Sequence, residues 1–383
     1  MLKMTFSIII IFLLTLAFWL AEPFGLNPFH QLAATTVSSV DSFDCQVAES
    51  DLTQQVELAV ERYMLSADFV GVSTGFYRQG CGTVVASSGY RDKRDLIPFA
   101  PNTISRIASV TKPMTAIAIM QLKEQGLLGL DDPIGRYLPQ LNTSYAAITI
   151  RQLLNHTAGV PHYSSKLDAL SLRHYASLDE AVERITQRKL VFEPGSQYLY
   201  SSFGYTLLGS VIENVSNTHF DDYLKRHIWQ VADMQHTSLE HEPLASQSRL
   251  YIKISDYYLR GPYNDLSVIY PAGGVRSSAQ DLLKFGQAIV NNQLISRSSL
   301  EQMIDVTQAL SPDDGSDLYG LGWFVYHSAD HGTVISHGGA QPGASVHFQI
   351  LLDKQIVSVA MSNAFGTKNR AFSLANDMAN LVL

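Results

Sequence analysis

A chain of 383 residues, 46% hydrophobic and 16% charged, can build one large domain or two intimate ones around a sizeable core. Acidic residues outnumber basic ones 35 to 27, for a net charge of −8, and no Lys/Arg run occurs, so nucleic-acid binding has no electrostatic footing.

The chain opens with Lys3 and an uncharged apolar stretch from Met4 to Ala21. Its length lies between that of a signal-peptide core and that of a spanning helix. Cleavage after Ala21 would leave the bulky Trp19 where a small residue is wanted, and cleavage after Ala17 would shorten the apolar run. Residues 1–21 therefore read as an N-terminal membrane anchor, with a cleaved signal peptide as the alternative. Either places the remainder on the periplasmic or extracytoplasmic face of the membrane. Residues 22–49 lack periodicity and read as a flexible tether, and residues 50–383 as the folded domain. Cys45 and Cys81 are the only cysteines, and in an exported protein a disulfide between them is the expected state.

From Asp51 to Ser66 the apolar residues Leu52, Val56, Ala59, Val60 and Tyr63 recur at helical steps. Strand-like runs Phe69–Tyr77 and Thr83–Ala86 flank a turn at Gly80-Cys81-Gly82. A long apolar helix then starts at Ser109 and ends near Gly126. The stretch 150–265 reads mostly as helices and loops, with helices over Leu178–Arg188 and Gly204–Val215. After Pro271 come a helix over Ala279–Val290, strands over Leu321–Tyr326, Thr333–Ser336, Ser345–Leu352 and Gln355–Met361, and a helix over Ala371–Val382. Strands towards both ends with helices between them imply an α/β (α+β) fold. Its sheet is assembled from the N- and C-terminal segments and flanked by helices, with a helical domain inserted over roughly 110–270.

Ser109 and Lys112 lie one helical turn apart, so hydroxyl and amine share a face: a nucleophile beside a base. Pro113 fits only a helix that has just begun, which puts Ser109 at an N-terminus where free amides favour an oxyanion. Alone, the S-x-x-K pattern equally describes an N-cap and a solvated lysine. Two further segments change its weight: Glu193 to Tyr205, containing Tyr200-Ser201-Ser202, and Ser336 to Ala344, containing His337-Gly338-Gly339.

With these motifs in this order, the chain from about Asp51 onward resembles the serine β-lactamases and penicillin-binding DD-peptidases, in the class C β-lactamase-like branch. The runs Glu193–Glu213, Pro271–Phe285 and Tyr319–Val325 look most like the serine β-lactamase-like protein of mitochondria and its bacterial relatives. The resemblance implies an antiparallel β-lactamase/transpeptidase-like fold, Ser109 as the acylated nucleophile and Lys112 as its partner. Tyr200 matches the tyrosine of Y-x-N, and His337-Gly338-Gly339 matches K-T-G in its H-x-G form. The backbone N–H groups of Ala340 and Ser109 would form the oxyanion hole. The chain departs from the pattern twice: Ser202 replaces the asparagine that grips substrate, and His337 replaces a permanent cation, which weakens carboxylate anchoring and makes activity more pH-dependent.

The elementary chemistry agrees. A serine needs a proton acceptor, and Lys112 serves only if its pKa falls from about 10.4 towards neutrality. The pKa of Tyr200 must likewise fall, or Tyr200 must shuttle a proton with Lys112. Gly338 and Gly339 leave room for substrate backbone along the strand edge. His156 and His162 lack a clear third ligand, so no metal is expected, nor any cofactor, and His156 reads as structural. Tyr270-Pro271-Ala272-Gly273-Gly274 reads as a cleft wall, with others from Ser164–Leu178 and Ser246–Pro262, while Trp323 and Phe324 read as core packing. The expected function is a serine hydrolase taking a peptide or small-molecule ester or amide, peptidase or esterase ahead of β-lactamase. The alternative is an envelope binding or scaffolding protein that keeps the fold without useful turnover.

Overall fold

The computed structural model describes residues 35–39, 49–66, 69–165, 168–241, 244–255, 257–307, 309–310 and 318–383. The apolar run 1–21, most of the expected tether and Cys45 lie outside the described residues. Cys81 is not a free thiol. Among the described residues no helix is long and apolar enough to cross a membrane.

A nine-stranded sheet organises the molecule. Its strands run in the order Thr36–Ser39, Gly82–Asp92, Gly71–Arg78, Ile356–Ser362, Ala344–Leu351, Gly332–Gln341, Phe324–Ser328 and Leu318–Tyr319, with Ile97–Pro98 added beside Gly82–Asp92. Every neighbouring pair is antiparallel. The two ends of the chain join where Gly71–Arg78 meets Ile356–Ser362, with Gly75 opposite Val359. Thr36–Ser39, read from the sequence as tether, pairs instead as an edge strand, Thr36 opposite Ser87. Four residues are too few to show a period, although Thr and Val suit a strand.

Both faces of the sheet are covered, and side chains alternate between them with the period of two that a strand imposes. Phe76, Val84 and Ala360 face the first helix, Glu49–Leu65, and the last, Lys368–Asn380, packing against Val56, Val60, Leu374 and Met378. An exposed Arg62–Asp377 pair at 2.9 Å also joins these helices, but a pair so solvated contributes at most about 1 kcal/mol, so apolar burial holds them. Val85, Val357 and Val359 face the other way, into the larger core with helices Thr111–Glu124, Ser202–Ser216 and Ala279–Val290. Eleven of the fourteen residues of Thr111–Glu124 are buried, as in a helix enclosed on all sides.

The middle of the chain is not purely helical. Tyr251–Ile254 and Tyr257–Arg260 form a hairpin that takes Ala364–Phe365 as a parallel third strand. Val275–Ser277 is flanked by Ser105–Arg106 and Ser238–Leu239. These strands are two to four residues long, below the length at which alternation can be read.

Candidate active site

The segment before the buried helix fixes the first group. Ala108 takes φ +49°, a left-handed conformation costing an alanine about 1–2 kcal/mol, and with Ser109 and Val110 makes a single tight turn that runs into Thr111–Glu124. Pro113 falls in the first turn of that helix, where its missing N–H costs no hydrogen bond. The turn is held from outside: Thr111 Oγ1 donates to Ala108 O (2.7 Å), and Thr115 Oγ1 donates to Pro271 O (2.6 Å) in the Tyr270–Gly274 wall.

Lys112 is completely buried, with Nζ 3.1 Å from Ser109 Oγ, 3.2 Å from Ser202 Oγ and 3.0 Å from Ala272 O. Its Nζ also lies 4.7 Å from the ring centre of Tyr200 and 5.6 Å from that of Tyr205. Burial holds its pKa well below the ordinary lysine value. A neutral amine has two protons and one lone pair. Ala272 O can only accept, so it takes a proton, and the lone pair is available to a hydroxyl such as that of Ser109.

Tyr200 lines the cleft beside Ser109, whose hydroxyl acts on its phenol. It directly precedes the helix Ser202–Ser216, whose N-cap Ser201 accepts from Gly204 N at 3.4 Å. Two histidines clamp this segment. Nδ1 of His156 accepts from Ser201 N (3.2 Å) and Nδ1 of His162 from Ser202 N (3.3 Å), which fixes both imidazoles as structural acceptors. Burial lowers both pKa values, that of His162 to about 4 and that of His156 well below the usual range. The Tyr200 phenol moves opposite to the expected fall: burial raises its pKa despite the Ser109 hydrogen bond, so it remains protonated. Of the two expected schemes, the neutral-phenol shuttle fits this environment.

The strand Gly332–Gln341 supplies the third side. A Cβ on Gly339 would come within 2.3 Å of Ile107 O, so only glycine lets this strand pass the nucleophile's segment so closely. Ala340 lines the same cleft as Ser109. His337 is buried, with Nδ1 2.8 Å from Gly338 O and Nε2 2.9 Å from Tyr319 Oη. Burial, reinforced by Lys112 and Lys368, holds its pKa well below the usual imidazole range. The expectation that His337 makes activity pH-dependent loses its support, because burial disfavours the charged ring.

Ser109, Tyr200, Ser202, His337, Gly338 and Ala340 open into one cleft of about 680 Å³. The expected walls are present: Ala169 and Leu170 on one side, joined by Tyr163 just before the expected segment, Ile252 of the hairpin on another, Ala272 and Gly273 on a third. Phe324 lines the cleft and is not solely core packing, whereas Trp323 is fully buried. Lys368, Phe365 and Tyr319 were not among the residues singled out from the sequence. Lys368 brings a cation to the rim from the start of the last helix. For Tyr319 the signal was its place in Tyr319-Gly320-Leu321-Gly322-Trp323, where a Cβ on Gly322 would stand 2.4 Å from Ala116 Cβ on the buried helix.

The chain is similar to several known proteins. The chain is 30% identical over 298 residues to penicillin-binding protein 4* of Bacillus subtilis (strain 168), covering 72% of this chain and 64% of that protein. It is 27% identical over 273 residues to the human mitochondrial serine beta-lactamase-like protein LACTB, covering 53% of this chain and 50% of that one. The chain thus spans less than two thirds of the length of either relative. Among solved structures, D-amino acid amidase from Ochrobactrum anthropi SV3 superposes with a TM-score of 0.77 at 23% identity, covering 87% of this chain and 98% of the amidase. A penicillin-binding protein from Bacillus halodurans gives 0.71 at 24% identity, covering 82% and 98%. These likenesses establish the β-lactamase/transpeptidase fold. Because the Beta-lactamase family model matches residues 56–382, nearly the whole described chain, this protein belongs to the Beta-lactamase family.

Proposed function

We propose that the protein hydrolyses amide, peptide or ester bonds through an acyl-enzyme on Ser109. The observation that carries this reading is Ser109 Oγ standing between Lys112 Nζ at 3.1 Å and the Tyr200 hydroxyl, with the lysine deprived of its charge by burial. In the acylation step Ser109 Oγ attacks the carbonyl carbon as its proton passes to Lys112. The tetrahedral oxyanion faces the backbone at Ser109 and Ala340. Collapse breaks the C–N or C–O bond, and the leaving group takes a proton relayed through Tyr200 from Lys112. Water repeats the sequence in reverse roles and frees Ser109.

The cleft composition supports apolar substituents on the substrate, since Tyr163, Leu170, Tyr198, Ile252, Ile269, Phe324 and Phe365 line it. A peptidase or esterase reading stands ahead of a β-lactamase one. Ser202 is engaged with Lys112 and His337 is neutral, so neither supplies the amide or the strand cation of the β-lactamase pattern. D-amino acid amidase, whose fold this chain shares, adds support for amide substrates.

Intact-mass analysis of the folded portion after fluorophosphonate treatment, beside Ser109→Ala, tests the reading. One phosphonyl adduct is expected on the wild type and none on the variant. Equal absence from both would remove the activated serine and leave a binding role.

A further inference from the structure

Tyr319 takes no part in the chemistry above, yet it is fully enclosed at the back of the cleft. It lies on the edge strand Leu318–Tyr319 beside Phe324–Ser328. That strand pairs with the cleft strand only as far as Phe324 opposite Ser336, so His337 is the first residue past the pairing, where the strand edge faces the cleft.

The two hydrogen bonds of His337 determine its protonation. Gly338 O, 2.8 Å from Nδ1, can only accept, so Nδ1 carries a proton. In a neutral ring Nε2 is then a bare lone pair, and Tyr319 Oη at 2.9 Å must be its donor. Tyr205 Oη, a second neighbour of Tyr319, spends its own proton on Leu154 O at 2.8 Å and so can only accept from Tyr319, but the 2.9 Å contact places the Tyr319 hydroxyl on His337 Nε2. The Tyr319 ring is wedged between His156, 4.6 Å away, and Phe324, 4.8 Å away, so its hydroxyl has little freedom to turn from the imidazole. The titratable groups facing His337 are Lys112 on the nucleophile helix, Lys368 on the last helix, His347 on the adjoining strand, His156, Tyr200 and Tyr319. All are cationic or neutral, so none compensates an imidazolium.

We propose that Tyr319 is a positioning residue that locks His337 as the neutral Nδ1–H tautomer, so that the strand edge adds no cation of its own beside Lys368 when neutral and carboxylate-bearing substrates compete. The selectivity half of this inference rests on the hydrolase reading of Ser109, while the tautomer half does not.

Histidine ¹⁵N spectra of the folded protein test the first half, His337 being assigned by the signals lost in His337→Asn. The expected result is a protonated Nδ1 and an unprotonated Nε2, unchanged between about pH 8 and about pH 5.5. A protonated Nε2, or an imidazolium at neutral pH, would overturn it. Tyr319→Phe tests the second half with two esters alike except for a neutral or a carboxylate-bearing leaving group. Loss of the donor frees Nε2, so His337 should acquire a titration in this range. The kcat/KM preference for the neutral ester should then fall at least about threefold at the acid end. An unchanged tautomer, titration and preference in Tyr319→Phe would show that Tyr319 does not set the state of His337. Should neither ester turn over while the spectra are as expected, the hydrolase reading fails and the tautomer lock stands.

Discussion

Lys112 illustrates how a single residue acquires a chemical role through its surroundings. It sits within hydrogen-bond distance of two hydroxyls and a carbonyl, between two tyrosine rings, and burial is the one cause of its lowered pKa. The sign of the kinetic consequence follows directly. Lys112 accepts a proton only when neutral, so acylation should be full above its lowered pKa and should fall as pH drops through it. Replacing Lys112 with methionine should therefore lower kcat/KM by about 10²–10⁴-fold and abolish that acid limb in whatever activity remains. An ester assay across the pH range checks both. A limb that survives in Lys112→Met would identify another group as the base. The S-x-x-K spacing was legible because three residues make nearly one helical turn. The direction of the Tyr200 shift was not, because the desolvation that raises it comes from the fold packed around the ring and not from its neighbours in the chain.

At the scale of elements, the cleft strand and the turn bearing Ser109 touch through one glycine. A methyl on Gly339 would meet the Ile107 carbonyl at 2.3 Å and Ala108 Cβ at 3.1 Å, both on a turn already held by Ala108 in a strained conformation. A methyl on Gly338 would instead meet Lys368 Cε at 3.0 Å, part of a flexible side chain that can swing aside. Gly339→Ala should thus shift the strand away from Ser109 and lower kcat about 10²-fold, the order expected when reacting groups move by an ångström. Gly338→Ala should stay within about threefold of wild type, a few tenths of a kcal/mol for a displaced surface chain. Equal losses in the two variants would mean that close packing on Ile107 is not what positions the strand. The same scale shows why some elements escaped the sequence. The helix Arg297–Ile304 buries only Leu300, Met303 and the small Ser299, too few apolar positions for a visible period, and its start is set by Ser296 accepting from Ser299 N. The hairpin Tyr251–Arg260 turns through Ser255 in a left-handed conformation that glycine or asparagine would have advertised. The long central strands were readable because both of their faces are buried, although Gly82–Asp92 and Gly332–Gln341 were read only over their first halves.

Across the whole molecule, the packing that builds the cleft also holds imidazoles neutral: buried His156 and half-buried His162 under the Tyr200 segment, His337 on the cleft strand and His347 on the strand beside it. Burial lowers both His162 and His347 to about 4, against an unfolded value of about 6.5. Below that unfolded value the unfolded chain binds protons that the native state refuses, so stability is full above about pH 6.5 and is lost as pH falls towards about 4. Each such histidine contributes a slope of up to about 1.4 kcal/mol per pH unit within that window. Carboxylates held below their ordinary range by partners, such as Asp131 with Arg151 and Asp221 with His241, lose their contribution only at still lower pH. Half-buried Glu213 and buried Asp281, whose pKa values are raised, act in the opposite direction, gaining stability as they take up protons near the foot of the window. Histidines therefore govern its upper part. Urea unfolding at about pH 7.5, 6 and 5 should show the midpoint falling steadily, and replacing His347 by glutamine should flatten part of the slope while leaving the Ser109 cluster in place. A midpoint constant down to about pH 5 would mean that these rings take up protons inside the native fold, which the closed packing around them does not permit.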